Sequence, residues 1–202
     1  MRPFEIPESV IAYFQEQQTR AVVDSLLSNL HDPVLPDMDR RKLVDLSEGV
    51  LLACQVRADF VNFMAGLWEN TFGAAIKGSD FREFFPEDCT ISTIWTEKYF
   101  WSYVARGADL EQIHFDLTVQ IEHRSNEVKL FVWRFDDNDE LPPYRPRLRI
   151  PDGWKLAQDE DGDPRLEAAV SVPIGDLIAN RDPRLAELNK AASAVLGFIS
   201  GL

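Results

Sequence analysis

The stretch Ile113–Phe135, IHFDLTVQIEHRSNEVKLFVWRF, decides the fold. Its first half sets Ile113, Phe115, Leu117, Val119 and Ile121 on one side and His114, Asp116, Thr118, Gln120 and Glu122 on the other, the period-two pattern of a half-buried strand. Arg124-Ser125-Asn126-Glu127 reads as a tight turn and Val128 to Phe135 as the antiparallel return. Pairing Arg124 with Glu127 puts Ile121 against Leu130 and Val119 against Val132 on one face. Glu122 then meets Lys129, Gln120 meets Phe131 and Thr118 meets Trp133 on the other. That second face carries Phe131, Trp133 and Phe135. The aromatic-rich segment from Ile94 to Val104, read as the preceding strand, adds Trp95, Tyr99, Trp101 and Tyr103. An aromatic shelf results, which is either core beneath a helix or an open platform for a partner or flat ligand.

Upstream, the apolar period is helical. Pro7-Glu8-Ser9 opens a pattern running through Val10, Phe14, Val22, Val23, Leu26, Leu27 and Leu30, interrupted by the polar run Gln15 to Thr19 and ended by His31-Asp32-Pro33. A long helix follows from about Asp39 to Phe72, with a break expected near Gly66. Asp45, Glu48, Gln55, Asp59, Asn62 and Glu69 fall into one stripe of it, so the helix should be buried around most of its circumference. Downstream, Asp136 to Glu140 and the proline-rich Pro142 to Pro146 form an acidic loop. Trp154 to Gln158 and Leu166 to Val172 read as a second hairpin around Asp159-Glu160-Asp161-Gly162-Asp163, and Asp182-Pro183 starts a closing helix. The expected architecture is α+β in one domain over residues 1–202. It is mainly helical over 1–86, carries a meandering antiparallel sheet of about five strands over 90–173, and ends in a helix over 182–201.

Charge limits the choice of partners. The 34 Asp and Glu against 21 Lys and Arg leave a formal net of -13, which repels polyanions and excludes direct nucleic-acid binding in the absence of a basic patch. The beginning, MRPFEIPESV, lacks the basic-then-apolar pattern of a secretory leader, and no run reaches about 18 uncharged apolar residues. No membrane association is expected, and a cytoplasmic protein of prokaryotic or phage-like scale is. Cys54 and Cys89 lack metal-knuckle or redox spacing and read as two buried, reduced thiols.

No motif for nucleotide, serine-hydrolase or zinc-protease chemistry is present, and no cofactor is implied. Asp116 with Glu127-Val128-Lys129 matches the D…ExK spacing of restriction-type nucleases. In the hairpin, however, the two carboxylates lie about 26 Å apart at 3.3 Å per residue, too far to share an ion. His114, Asp116 and Glu122 share one strand face, a thin metal set that reads more simply as a solvated surface. In the turn, Gly162 comes two places early for a calcium loop, and Val170 stands where the bidentate Glu belongs. Arg57 projects from the apolar side of the long helix, either paired and snorkelling or as an anion clamp.

Two functions are carried forward. The first is a non-enzymatic, inhibitor-like or regulatory domain binding a basic protein surface. Asp136, Asp137, Asp139, Glu140, Asp159, Glu160, Asp161 and Asp163 would steer the encounter, with Trp101 and Trp133 supplying affinity. The alternative is a small-ligand or metal-dependent hydrolytic pocket between long helix and sheet, using Arg57, His114, Asp116 and Glu122. Aromatic edge strands leave room for a homodimer.

Overall fold

A computed structural model describes residues 4–28, 40–106, 114–135, 150–159 and 161–200. The chain divides into two compact units, Met1–Phe63 and Met64–Leu202, with the boundary inside the long helix. The whole belongs to the α+β class, as the sequence implies.

In the first unit, α1 (Glu8–Gln15) and α2 (Gln17–Ser28) are separate helices meeting at Glu16, where the polar run interrupts the apolar stripe. They pack on the first part of α3 (Arg40–Asn70). Tyr13 and Phe14 lie against Phe60, at centroid distances of 6.4 and 6.1 Å, and Phe4 stacks on Phe63 at 5.9 Å. Ser9 Oγ donates to Asp59 Oδ2 at 2.6 Å, and the Tyr13 hydroxyl donates to Asp24 Oδ1 at 2.9 Å. Burial and the Asp24 carboxylate together push the Tyr13 phenol well above its ordinary range.

Two expectations for α3 fail. Between residues 45 and 70 only Ala53, Phe60, Phe63, Met64, Leu67 and Trp68 are buried, so the helix is not buried around most of its circumference, and Leu51 and Leu52 are each 69% exposed. They stand three and four positions after Glu48, which places them on the acidic face itself. Nor does the helix break at Gly66, whose carbonyl accepts from Asn70 Nδ2 at 2.8 Å. It stops at Thr71, whose hydroxyl turns back onto the Leu67 carbonyl at 2.8 Å before the short α4 (Phe72–Ile76) begins. By length and composition Asp45–Ile76 is apolar enough to cross a bilayer, a property that core helices share.

The second unit is built on a seven-stranded antiparallel sheet in the order β1-β2-β3-β4-β6-β5, with β7 also paired to β4. Its strands are β1 (Phe81–Phe84), β2 (Tyr99–Arg106), β3 (His114–Ile121), β4 (Glu127–Phe135), β5 (Trp154–Gln158), β6 (Pro164–Ala168) and β7 (Val172–Pro173). Leu117, Val119, Ile121, Val128, Leu130, Val132 and Leu166 form the buried face. The last turns of α3, α4, α6 (Ile174–Ala179) and α7 (Arg181–Ile199) make the helical layer. Trp68 meets Phe100 at 5.9 Å, Trp154 Nε1 donates to the Ala191 carbonyl at 3.0 Å, and Asn189 Nδ2 donates to the Asn70 carbonyl at 3.2 Å. Gly73 makes the Trp68 corner fit, since a Cβ there would stand 2.7 Å from Trp68 Cζ3 and 3.3 Å from its carbonyl oxygen. Gly73→Ala is therefore expected to cost about 1–3 kcal/mol in urea unfolding, the usual penalty of overpacking.

Several boundaries differ from the sequence reading. Ile94 to Glu97 is not strand. Thr90 Oγ1 accepts from the Thr93 N–H at 3.2 Å and caps α5 (Ile91–Glu97), which ends at Lys98 in the left-handed region, φ 58°. Trp95 therefore sits on a helix, with the Lys98 ammonium 3.4 Å from its ring centroid, and leaves the shelf. The span read as one strand from Leu166 splits into β6 and β7, and β1 adds an edge that its four residues did not announce.

The central hairpin also pairs two residues away from the expected register. Val119 faces Leu130, Ile121 faces Val128, Thr118 faces Phe131 and Asp116 faces Trp133. The turn is His123 to Asn126, with Asn126 at φ 52°, and Glu122 rather than Arg124 closes against Glu127. Because the slip is even, every side chain keeps its face.

Candidate functional site

The sheet face away from the helical layer holds an open cavity of about 380 Å³. Strand alternation builds its walls. Tyr99, Trp101 and Tyr103 stand along β2, Asp116, Thr118 and Gln120 along β3, Trp133 comes from β4 and Arg165 from β6, and Asp88 joins from the loop before α5. Tyr103, Asp116 and Trp133 are direct cross-strand neighbours, so the carboxylate rises between two rings. Trp101 and Phe131 are buried, at 4% and 3% exposure, while Tyr99, Tyr103 and Trp133 are half-buried.

Electrostatics distinguish the floor from the rim. Burial raises the Asp116 carboxyl from 3.8 to about 7. The Thr118 hydroxyl, donating at 2.8 Å, pulls it down, and the Asp88 charge adds to the upward push. Burial, with help from these same carboxylates, also raises the Tyr99 and Tyr103 phenols. Arg165 stands over the aromatics, its guanidinium carbon 4.1 Å from the Phe131 centroid and 5.3 Å from that of Trp133. Glu167 stands 3.8 Å from it and is shared with Lys155 at 3.2 Å. By contrast, neither Asp88 nor Asp116 is in an ion pair among the described residues.

The acidic turn beside the cavity is partly structural. Asp159 Oδ1 accepts from the Asp161 and Asp163 N–H groups at 3.1 and 2.8 Å, and Asp159 Oδ2 accepts from Trp133 Nε1 at 3.2 Å. Burial pushes this carboxyl up, but those donors outweigh it and hold it below the ordinary range. Gly162, at φ 93°, lets the turn close, and Asp161 and Asp163 are left exposed.

The structure therefore brings together Trp101, Trp133 and Asp116, with the turn residues Asp159, Asp161 and Asp163 at the edge. Of His114, Asp116 and Glu122, only Asp116 lines the cavity. His114 is half-buried edge-on to Tyr103 at 5.4 Å and does not line the cavity. Glu122 is spent at the hairpin end, pairing with Lys129 at 2.9 Å and accepting from Ser125 Oγ at 2.7 Å, which lowers its pKa. Arg57 is half-buried on α3 in the first unit. Asp136, Asp137, Asp139, Glu140 and Glu160 lie outside the described residues. Among the described residues, no three His, Cys, Asp or Glu side chains group closely enough to hold a metal ion. Cys54 and Cys89 are free and only half-buried.

Arg165 and Asp88 were not anticipated. Arg165 is placed by β6 joining β4, a pairing separated in sequence by more than thirty residues. Asp88 belongs to no periodic segment, and its only signal was the acidic pair Glu87-Asp88 ahead of the Thr90 cap. Comparison with known proteins matches this chain to no family model, no curated protein and no solved structure.

Proposed function

We propose that this protein is a non-enzymatic interaction domain that binds a basic surface of a partner protein through the outer face of its sheet. The observation that carries this reading is a pair of carboxylates, Asp88 and Asp116, that have no counter-ion among the described residues and stand among Tyr99, Trp101, Tyr103 and Trp133. Rings of this kind present a negative π-face, so both the aromatic and the acidic groups attract cations and leave anions unsupported. The exposed Asp161 and Asp163 and the chain's net charge of -13 extend the same field to the approach path. A cytoplasmic setting accords with the two free thiols.

The second reading, a small-ligand or hydrolytic pocket, draws on one feature, the Asp116 carboxyl near neutrality inside a cavity. It lacks the convergence it needs within the sheet unit, since His114 and Glu122 do not line that cavity.

Salt separates the two. Binding of a lysine- and arginine-rich peptide to the immobilised chain is expected to weaken about tenfold or more between about 50 mM and about 500 mM NaCl. Trp133→Ala should weaken it at both salts. Failure of any basic peptide to bind at the lower salt would remove the proposal.

A further inference from the structure

We infer that the sheet-face cavity is a site for one arginine side chain of the basic partner, its guanidinium seated over Asp116 between the Tyr103 and Trp133 rings. The inference rests on the reading above and narrows it to a chemical group.

Three features select a planar cation. Tyr103, Asp116 and Trp133 occupy neighbouring strands in register, so the two rings rise from backbones about 10 Å apart, two strand spacings, with the carboxylate between them. That gap leaves room for a flat group stacked against a ring face, with its N–H edge directed down to the carboxylate. Arg165 already shows the preference of this surface, its guanidinium carbon standing over the Phe131 ring at 4.1 Å and 5.3 Å from the Trp133 centroid. Arg165 and Lys155 share Glu167, at 3.8 and 3.2 Å, whereas neither Asp116 nor Asp88 is in an ion pair among the described residues, so the negative charge left unmatched lies at the floor and mouth of the cavity. A guanidinium fills both requirements together, as it stacks on rings and donates in a fork to a carboxylate, which an ammonium does less well. The Thr118 hydroxyl fixes one Asp116 oxygen at 2.8 Å and so presents the other in a set direction.

The test uses the full chain and three peptides of one length, alternating serine with arginine, with lysine, or with citrulline, the neutral isostere of arginine. By calorimetry at about 150 mM salt the arginine peptide is expected to bind about tenfold tighter than either of the others. Asp116→Asn, which keeps the shape and the Thr118 contact, should erase the preference for arginine over lysine while leaving the salt-dependent attraction of both. Equal affinity for arginine and lysine peptides, or a preference that Asp116→Asn leaves unchanged, overturns the inference but leaves the proposed function standing. Absence of binding by every cationic peptide overturns both. Agmatine competing as strongly as the arginine peptide would assign the site to a small guanidine and contradict a protein-borne ligand.

Discussion

Asp116→Asn is expected to make the protein more stable at pH 8 and to leave it unchanged at pH 4. The carboxyl is raised from 3.8 to about 7 because folding buries it, with the Asp88 charge adding to the effect and the Thr118 hydroxyl opposing it. Between these values the unfolded chain has released the proton while the folded chain still holds it, so ionisation favours unfolding. The wild-type protein has the full benefit of a neutral Asp116 below about pH 4 and loses it as pH rises through about 7. A difference of about 3 pH units corresponds to about 4 kcal/mol at most. The charged groups facing it are Asp88 from the loop before α5, the Tyr99 and Tyr103 phenols from β2, and Arg165 from β6. The phenols are raised and stay neutral through this window. Urea midpoints measured at pH 4, 6 and 8 for both proteins should converge at the acid end and separate at the basic end. Parallel curves would show that Asp116 ionises freely. A surface that sacrifices stability near neutrality by holding a carboxylate among rings is one that gains from a cation placed there.

Trp68 is the second position of large effect. Its indole is 2% exposed and contacts Phe100 and Phe85 at 5.9 and 6.0 Å, tying the last turns of α3 to β2. Trp68→Ala should cost about 3–5 kcal/mol in the same unfolding experiment, through lost contacts and the cavity left behind. Trp68→Phe should cost far less, within about 1.5 kcal/mol. The reason is that Trp68 Nε1 is buried without an acceptor among the described residues, and removing an unpaired donor offsets part of the lost volume. Equal losses for the two substitutions would mean that the indole N–H is satisfied.

What could be read from the chain follows from how local each signal is. The alternation in residues 113–121 fixed both faces of β3, and an even register slip left those faces intact although the turn was misplaced by a closure at Glu122 instead of Arg124. The aromatics at Trp95, Tyr99, Trp101 and Tyr103 kept a period of two across a helix boundary, so the pattern hid the Thr90 cap and the left-handed Lys98. Leu51 and Leu52 misled for a related reason, as hydrophobicity marked them for burial while their angular position on α3 put them beside Glu48. At the site, Trp101, Trp133 and Asp116 were legible because strand alternation places them on one face. Arg165 and Asp88 were not, since they arrive by the β4–β6 pairing and by an irregular loop, both products of tertiary packing.

A carboxylate held among aromatic rings with no counter-ion among the described residues awaits a cation. The most direct measurement is the Asp116 carboxyl carbon followed by NMR through a pH titration, with and without saturating arginine peptide. A midpoint near 7 is expected for the free protein, with a fall of about one pH unit or more when the peptide is bound, because a neighbouring cation favours the ionised form. A midpoint near 4 in the free protein, or a midpoint near 7 that the bound peptide does not move, would contradict it.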